Sequence, residues 1–197
     1  MGLSAPTRVQ AAAVPELLSR RDCLVQAQTG SGKTLAYLVP VLSSLGARER
    51  RVERSEGTHA LVLCPTRELV AQVVGVAQAA CRPYHWLVCG GVTGGEKRAS
   101  EKARLRKGVT VLAATPGRLL DHLTSTAAFD TAHLSWLVLD EADRLLDLGF
   151  ERDLREIIRL VDQRADGARC TSLFSATLGD NVRALAALSL ARPLTLR

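Results

Sequence analysis

The 197-residue sequence lacks the features that mark membrane, secreted, repetitive or disordered proteins. No apolar run approaches the ~20 residues of a membrane-spanning helix, and the N-terminus lacks the basic-then-apolar pattern of a signal peptide. There is neither a repeat of solenoid length nor a low-complexity segment. With 47% hydrophobic and 23% charged residues, the composition is that of an ordinary globular domain. We expect one such domain, with no membrane partner and with a monomer as the default.

Neither the cysteines nor the histidines have the spacing of a disulfide framework or a metal site. No C-x-x-C pair occurs, and three of the five cysteines lie inside apolar runs, which predicts buried, reduced thiols in an intracellular protein. Lysine is scarce, since only four of the 26 basic residues are lysine, and the position of each lysine is therefore informative. The net charge of +6 is a mild bias toward polyanionic partners.

Short, continuously apolar runs alternate with helical patterns along the chain. The predicted strands are Cys23–Gln26, Ala60–Cys64, Trp86–Cys89, Val109–Ala113, Trp136–Leu139, Thr171–Phe174 and Leu194–Leu196. The predicted helices are 7–18, 32–45, 67–81, 95–106, 117–125, 150–161 and 180–190. Runs that are apolar throughout suit strands buried on both faces of a parallel sheet. The alternation predicts an α/β fold: a doubly wound, mainly parallel sheet flanked by helices, with ligands at the carboxyl ends of the strands.

Two polar segments interrupt this alternation. Residues 46–58 are predicted to form a mobile surface loop, with an RNA contact as the alternative. Residues 96–107 carry six basic and two acidic side chains. A solvated helix face explains this charge, and a surface for RNA or for an acidic partner is the other interpretation.

A phosphate-binding loop is predicted between the first strand and the following helix. Its residues are Ala27, Gln28, Thr29, Gly30, Ser31, Gly32, Lys33 and Thr34. The glycines let backbone N–H groups turn inward around phosphate oxygens, and the helix N-terminus adds a positive dipole end. Lys33 should reach the β- and γ-phosphates, and the Thr34 hydroxyl should bind Mg²⁺. The commonest form of this loop has glycine at position 27, where this chain has alanine.

An acidic motif, Asp140-Glu-Ala-Asp143, follows the predicted strand Trp136–Leu139. A carboxylate at a strand end that faces a phosphate loop is what Mg²⁺ binding in such ATPases requires. Asp140 would bind the metal through water, and Glu141 would act as the general base toward the attacking water. The alternative is an acidic helix N-terminus, which favours the helix dipole.

Gln10 has a structural and a functional interpretation. Spacing favours the structural one, in which Thr7 and Gln10 form a capping box at the start of a helix. In the functional one, the primary amide of Gln10 makes a bidentate contact with adenine, the geometry by which Asn or Gln recognises this base. Both can hold, because a capped helix end fixes the orientation of the amide.

Three further segments lie where a predicted strand ends. Two of them, Pro65-Thr-Arg-Glu-Leu69 and Thr115-Pro-Gly-Arg118, are either helix caps or grips for nucleic-acid phosphates, with Arg67 and Arg118 beside free backbone N–H groups. The third, Ser175-Ala-Thr177, is a turn in isolation, but its hydroxyls could bridge the acidic motif to a nucleotide.

In this order and spacing, the motifs resemble those of the DEAD-box ATP-dependent RNA helicases. The matching segments are Pro6-Thr7-x-x-Gln10, Ala27–Thr34, Pro65–Leu69, Gly94-Gly95, Thr115–Arg118, Asp140–Asp143 and Ser175–Thr177. The resemblance implies a first RecA-like domain over residues 1–197, with a Q-motif region at 1–20. Such a domain binds ATP or ADP with Mg²⁺ and one half of an RNA site.

The resemblance also implies roles for individual residues. It assigns Thr7 and Gln10 to the nucleotide, and it assigns Lys33, Asp140, Glu141, Ser175 and Thr177 to catalysis. It assigns Pro65, Thr66, Arg67, Gly94, Gly95, Thr115, Gly117 and Arg118 to the RNA backbone. The segments 94–108 and 144–150 look like a nucleolar branch of the family that acts in large ribosomal subunit assembly, which implies pre-ribosomal particles as partners.

The sequence departs from the family pattern at several points. Val70 stands where alanine is usual, and the aromatic residue that usually lies upstream of the glutamine would fall before Met1. A second RecA-like domain and its arginine-finger run, His-Arg-x-Gly-Arg-x-x-Arg, are not found, so we expect a fragment that binds nucleotide but hydrolyses it poorly. Two alternatives stay open: an ATP-gated RNA clamp or assembly scaffold with incidental turnover, and another P-loop translocase, for example on DNA.

Overall fold

The computed structural model describes residues 5–197, so the first four residues of the predicted 1–20 region lie outside it. The helices are α1 (Arg8–Leu18), α2 (Lys33–Gly46), α3 (Arg67–Ala80), α4 (Arg98–Lys107), α5 (Pro116–Ser125), α6 (Ala142–Asp147), α7 (Glu151–Arg164) and α8 (Asp180–Ser189). The strands are β1 (Cys23–Gln26), β2 (Ala60–Leu63), β3 (Cys89–Val92), β4 (Val111–Ala114), β5 (Trp136–Leu139), β6 (Cys170–Ser175) and β7 (Leu194–Leu196).

The strands form one seven-stranded sheet in the order β3-β4-β2-β5-β6-β1-β7. Every neighbouring pair is parallel. A parallel pair needs a crossover, and right-handed helical crossovers place helices on both faces of the sheet. The predicted doubly wound parallel sheet is therefore confirmed.

Each face of the sheet carries its own hydrophobic core. One core lies under α1, α2 and α3 and includes Tyr37 and Trp136. The other lies under α4 to α8 and includes Leu119, Leu154 and Ile157. Four of the central strands are buried along their whole length, which is why their sequences read as continuous apolar runs rather than alternating ones.

The prediction for the third strand is wrong in its position. The apolar run Trp86–Cys89 suggested a strand there, but β3 occupies Cys89–Val92 and contains Gly90 and Gly91. Glycine is normally a weak strand former. At position 91 it is required by packing, because a Cβ would lie 2.9 Å from Val70 Cγ1 on the adjacent α3. The close approach of helix and strand decided this boundary.

Two more differences concern polar segments. The short helix α6 was not predicted, and it begins inside the acidic motif, at Ala142. The segment 46–58 begins with the last residue of α2 and contains a 3-10 turn at Arg54–Glu56. Val52 within it is buried, and the Arg54 guanidinium donates to the carbonyl of Gly108 at 3.0 Å. This segment is thus tied to the chain that precedes β4.

The five cysteines all have free thiols and are buried, as predicted. No helix within residues 5–197 is long and apolar enough to cross a bilayer.

Candidate functional site

The strand order sorts the predicted site residues into two groups along one edge of the sheet. The nucleotide motifs follow β1, β5 and β6, which are consecutive neighbours in the order β5-β6-β1. The predicted RNA contacts follow β2, β3 and β4, which are neighbours in the order β3-β4-β2. Because all strands are parallel, their carboxyl ends meet at one edge. The two groups therefore lie side by side, joined where β2 pairs with β5.

The phosphate-loop segment turns sharply between β1 and α2. Gly30 and Gly32 both have positive φ, +81° and +89°, conformations that only glycine adopts at low cost. The backbone N–H of Ala27, which is buried, donates to the Ser175 carbonyl at 2.8 Å and so ties the loop to the end of β6. Gln28 and Thr29 are exposed at the tip. Within the described residues, the buried hydroxyl of Ser31 has no hydrogen-bond partner.

Gln10 caps α1 and also holds the phosphate loop. Its side-chain oxygen accepts from Thr7 N at 3.0 Å, and Thr7 Oγ1 accepts from Gln10 N at 3.5 Å, so the predicted capping box is present. Its amide nitrogen donates to the Gly32 carbonyl at 3.0 Å. A primary amide has two N–H groups and two lone pairs on oxygen, so one donor and one acceptor position remain on the side chain.

Lys33 lies between the two carboxylates of the acidic motif. Its ammonium is 3.1 Å from Asp140 Oδ1 and 3.2 Å from Glu141 Oε1. The three side chains are buried, and a buried lysine without such partners would be costly. The lysine of the loop and the acids of the motif, separated by more than 100 residues, are thus in contact, so the acidic motif faces the loop.

Tyr37 on α2 completes the surroundings of Asp140. Its hydroxyl donates to Asp140 Oδ2 at 2.8 Å, and its ring packs edge-on against Phe174 of β6. Burial raises the pKa of Asp140 above its ordinary value, whereas Lys33 and the Tyr37 hydroxyl act in the opposite direction. Burial and the Asp140 charge raise the pKa of Tyr37 well above its ordinary value, so the phenol stays protonated and remains a donor. Sequence reasoning missed Tyr37, because an apolar helix position gave no sign of a polar partner.

The backbone at Glu141 is in the left-handed region, with φ +52° and ψ +54°. For a residue with a side chain this conformation is strained, at a cost of about 1–3 kcal/mol, and such strain concentrates at functional sites. The turn between β5 and α6 directs the Glu141 carboxylate toward Lys33, while its second oxygen is 3.5 Å from Arg144 Nη1.

The Ser175–Thr177 segment contacts the acidic motif through Asp143. The Asp143 carboxylate accepts from Ala176 N and Thr177 N at 3.1 Å and from Thr177 Oγ1 at 3.3 Å. The Ser175 hydroxyl accepts from Asp143 N at 3.3 Å. The predicted link to the acidic motif is present, and its acceptor is Asp143, a residue to which the sequence analysis gave no role.

The candidate RNA contacts around α3 are held together by Arg67. Thr66 caps this helix through its hydroxyl, which accepts from Leu69 N at 3.2 Å, and the preceding Pro65 is buried. The exposed Arg67 donates to the Gly94 carbonyl at 3.2 Å. Gly95 has φ +99°, and a Cβ there would clash with the Arg67 guanidinium. The motif after β2 and the glycine pair after β3 therefore form one surface.

The segment after β4 contributes Thr115, Gly117 and Arg118. Thr115 occupies the N-cap of α5 with proline at the next position, as predicted, but its side chain makes no capping hydrogen bond. Gly117 is exposed and Arg118 is half-buried. The Arg118 guanidinium is 3.3 Å from a carboxylate oxygen of Glu101 on α4, which is fully buried. The basic pattern of 96–107 gave no signal that this acid is internal.

Two cavities flank the phosphate loop. One, of about 430 Å³, is lined by the loop from Thr29 to Leu35, by α3 residues and by Glu141. The other, of about 270 Å³, lies on the opposite side of the loop, between α1 and the end of β7, and is lined by Arg8, Val9, Ala12 and Gln28 among others. Both cavities are lined mainly by apolar atoms, and the first also contains the charged side chains of Lys33 and Glu141.

The donors around the first cavity fit a magnesium–phosphate group. No cluster of three or more His, Cys, Asp or Glu side chains suited to a metal occurs among residues 5–197. A hard cation here would therefore be held by few protein ligands and by phosphate oxygens, as Mg²⁺ commonly is. Asp140 Oδ1 is buried and lies 3.1 Å from the Lys33 ammonium, but it accepts no well-aligned hydrogen bond from the described residues. Thr34, in the first turn of α2, lines the same cavity.

Comparisons with known proteins agree with this geometry. The profile of the DEAD/DEAH box helicase family matches residues 7–185. DEAD-box ATP-dependent RNA helicase 17 of Oryza sativa subsp. japonica is 51% identical over 98% of this chain and 34% of its own length. ATP-dependent DNA helicase DDX31 of Homo sapiens is 51% identical over 98% of this chain and 23% of its own length. The chain thus spans between about a fifth and a third of these curated relatives.

A solved structure supports the same assignment. The yeast DEAD-box splicing factor Prp28 superposes with a TM-score of 0.93 at 33% identity, over 98% of this chain and 45% of that protein. The expected RecA-like architecture is confirmed by this match. From the family profile and the identity to its relatives, we conclude that the chain belongs to the DEAD/DEAH box helicase family.

Proposed function

We propose that this chain is the first, ATP-binding RecA-like domain of an ATP-dependent RNA helicase, which separates short RNA duplexes or remodels RNA–protein complexes. The observation that carries the proposal is the division of one sheet edge into two adjacent halves. One half contains Lys33, Asp140 and Glu141 around a phosphate loop, and the other contains Arg67 and Arg118 beside helix N-termini. Binding of nucleotide and of a nucleic-acid backbone can thus be coupled through the pairing of β2 with β5.

In this proposal the Lys33 ion pairs define the nucleotide-free state. The carboxylates of Asp140 and Glu141 bind the Lys33 ammonium until phosphate oxygens replace them. Lys33 then binds the β- and γ-phosphates. The loop amides and the α2 N-terminus hold the remaining phosphate charge. Mg²⁺, held by the Thr34 hydroxyl and through water by Asp140, would neutralise charge that develops on the transferring phosphoryl group. Once freed from Lys33, Glu141 accepts a proton from the attacking water.

The adenine base is proposed to lie against α1. The cavity beside Arg8, Val9 and Ala12 is lined largely by apolar atoms, which suits the face of a purine. Gln10 keeps one donor and one acceptor for the adenine edge while its other amide groups hold Thr7 and Gly32. At this edge adenine presents the N6 donor and the N7 acceptor, whereas guanine presents two acceptors, O6 and N7, and GDP should therefore bind much more weakly.

The first test is calorimetric titration of the chain with ADP and with GDP, each with Mg²⁺. Selective ADP binding supports the phosphate loop and the role of Gln10 together. Equal binding of both nucleotides would show that Gln10 only caps α1. Absence of binding by either nucleotide would contradict the proposed site in this chain.

The catalytic roles are tested in the full-length protein by RNA-stimulated ATP hydrolysis. Lys33→Ala should lose nucleotide affinity and turnover together. Glu141→Gln should keep ADP affinity and lose turnover, because only the proton acceptor is removed. Glu151→Gln, a carboxylate of the exposed pair with Arg155, is the matched control and should retain activity. Unchanged turnover in Lys33→Ala or in Glu141→Gln would refute this mechanism.

DNA is the alternative polynucleotide, since one relative carries the name of a DNA helicase. Phosphate contacts at the ends of β2, β3 and β4 do not distinguish the two polymers by themselves. Parallel stimulation curves with RNA and DNA strands of one sequence decide between them: stimulation by RNA alone supports our proposal, and equal stimulation supports a DNA translocase. A Glu141→Gln protein that still supports the cellular role would instead favour an ATP-gated clamp or scaffold.

We further propose that the parent protein acts in ribosome assembly in the nucleolus, with pre-ribosomal particles and a C-terminal RecA-like domain as partners. The support is the character of segments 94–108 and 144–150. Co-sedimentation of the tagged full-length protein with pre-ribosomal particles would test it, and sedimentation only in free fractions would contradict it.

A further inference from the structure

Glu101 is a carboxylate inside a helix that otherwise presents charge to solvent. It is 0% exposed, although α4 has the sequence Arg-Ala-Ser-Glu-Lys-Ala-Arg-Leu-Arg-Lys and most of its side chains are not buried. Arg98 and Arg104 of the same helix are at the surface and pair with Asp121 and Glu96. Glu101 is therefore an exception that the pattern of solvated charges does not explain.

The buried carboxylate is fully occupied by donors from outside its own helix. Oε1 accepts from the Thr93 backbone N–H at 2.7 Å. Oε2 is 3.0 Å from His122 Nε2 and 3.3 Å from Arg118 Nη1. The other ring nitrogen of His122 is 3.0 Å from Thr126 Oγ1, which fixes the orientation of the imidazole.

Such an arrangement is costly to maintain for packing alone. Burying a carboxylate removes its hydration, and an apolar side chain of similar volume often serves stability as well or better. What a buried charge network adds is a defined geometry, since several donors must converge on two oxygens. The geometry around Glu101 must therefore be related to the surface that its donors belong to.

The donors belong to two segments that our proposal assigns to the nucleic-acid backbone. Thr93 directly precedes the pair Gly94-Gly95, and the Gly94 carbonyl accepts a hydrogen bond from Arg67. Arg118 ends the segment after β4, and its side chain is 19% exposed, so part of the guanidinium reaches solvent. Glu101 is thus the point at which the loop after β3 and the start of α5 are joined.

We propose that Glu101 is a positioning residue, which holds the glycine-pair loop and the Arg118 guanidinium in the geometry that binds a polynucleotide backbone. The inference rests on the proposed function, because it deepens the role of that same surface. Glu101 does not contact the ligand itself. It acts through the Thr93 amide and through Arg118.

The proposal predicts an effect opposite in sign to simple electrostatics. Removing a negative charge close to a phosphate-binding surface should strengthen binding by Coulomb attraction alone. If Glu101 acts by positioning, Glu101→Gln should instead weaken RNA binding, by about tenfold or more, which is the range for losing one charge-assisted hydrogen bond. The slope of log affinity against log salt should fall by about 0.7 for the lost phosphate contact to a single strand.

The experiment is a double-mutant cycle in the full-length protein, with RNA affinity measured in the presence of a non-hydrolysable ATP analogue. The variants are Glu101→Gln, Arg118→Ala and the double variant. ADP affinity and Tm are measured in parallel, because a merely structural defect would lower them together with RNA affinity. Glu96→Gln removes a nearby exposed carboxylate that pairs with Arg104 instead, and it serves as the charge-matched control.

A second variant keeps the test independent of charge. Glu101→Asp retains the carboxylate but withdraws it by one methylene, so a pure charge effect predicts no change while positioning predicts a loss. We expect weaker RNA binding in both Glu101 variants, unchanged ADP affinity, and an effect of Glu101→Gln that largely disappears in the Arg118→Ala background.

Tighter RNA binding by Glu101→Gln, additive effects in the cycle, or an equal effect of Glu96→Gln would overturn the inference. So would an Asp variant that binds RNA like wild type. Failure of the proposed function itself is recognised separately. In that case Arg67→Ala and Arg118→Ala would leave RNA affinity unchanged, and the positioning role of Glu101 would be refuted together with the surface on which it rests.

Discussion

The hydroxyl of Tyr37 can be removed without changing the shape of the core, and this makes Tyr37→Phe an informative perturbation. The ring remains packed against Phe174, and only the 2.8 Å donation to Asp140 Oδ2 is lost. The variant leaves a buried carboxylate oxygen without its donor, next to the Lys33 ammonium on the other oxygen. We expect lower stability and a weaker magnesium-dependent step in nucleotide binding.

The size of both effects follows from the contact. A hydrogen bond to a charged group contributes about 1.5–3 kcal/mol, and leaving a buried acceptor unsatisfied costs a similar amount. For a domain of this size, each 1 kcal/mol shifts Tm by about 2–4 °C, which gives a decrease of about 3–12 °C. Residues that orient a metal ligand typically change metal affinity by about tenfold or more. The Mg²⁺ concentration for half-maximal ADP binding should rise by about tenfold.

The pH dependence of the magnesium-dependent ADP affinity provides a second test of the Tyr37 hydroxyl. Burial raises the pKa of Asp140, and the Tyr37 hydroxyl counteracts this. Without the hydroxyl the pKa rises further, so Asp140 becomes protonated at a higher pH as the solution is acidified. The magnesium-dependent part of ADP affinity should therefore be lost at a higher pH in Tyr37→Phe than in wild type.

Titration calorimetry with ADP, at several Mg²⁺ concentrations and without Mg²⁺, together with thermal unfolding, measures these effects. ADP affinity without metal should be unchanged. Tyr84→Phe is the matched control, because no hydrogen bond to the Tyr84 hydroxyl is found within residues 5–197 and its half-buried ring packs against Trp86. If Tyr37→Phe retains wild-type Tm and magnesium dependence, the hydroxyl does not position Asp140 and the reasoning is refuted.

Three other predictions concern loops and one buried histidine. Gly32→Ala should destabilise the chain more than Gly30→Ala in urea unfolding: both have positive φ, which costs about 1–2 kcal/mol, but only at Gly32 would a Cβ meet Gln10 Nε2, at 2.7 Å. An equal loss of stability in the two variants would show that the Gln10 side chain moves away from the added Cβ at little cost. Asp143→Asn should cost about 1–3 kcal/mol and speed hydrogen exchange of the two loop amides that it accepts from; unchanged exchange would contradict the contact. Burial, with the nearby arginine charge, lowers the pKa of His59 from 6.5 to about 4. The unfolded state therefore binds the extra proton between these values, so the urea midpoint should fall as pH drops through that window, and His59→Gln should remove that part of the fall.

Local features of the sequence were sufficient for the bounds of three strands. Cys23–Gln26, Trp136–Leu139 and Leu194–Leu196 have the predicted bounds, although only Trp136–Leu139 among them is buried along its whole length. Prediction failed at β3, where Gly90 and Gly91 are strand residues through their pairing with β4 and Gly91 also packs closely against α3. It failed again at α6, which begins directly after the strained Glu141.

The candidate site was likewise predicted in part from the sequence. The residue types and spacing of the phosphate loop and of the acidic motif indicated a nucleotide, because glycines, one lysine and two carboxylates in that order have few other uses. The sequence could not reveal Asp143 as the acceptor for the loop after β6, nor Tyr37 as the donor to Asp140. Both contacts join elements far apart in the chain, and their partners depend on which strands are neighbours.

The sequence by itself determined the class of fold and the chemistry of each motif, since these follow from hydrophobic periodicity and from the identity of the reactive groups. Only the tertiary structure decided the strand order, which brings the ends of β1, β5 and β6 to one half of an edge and the ends of β2, β3 and β4 to the other. It also decided that Glu101, in the middle of a basic helix, is buried. The physical reason is that strand pairing and burial are long-range properties, set by the packing of all elements together, and no window of residues contains them.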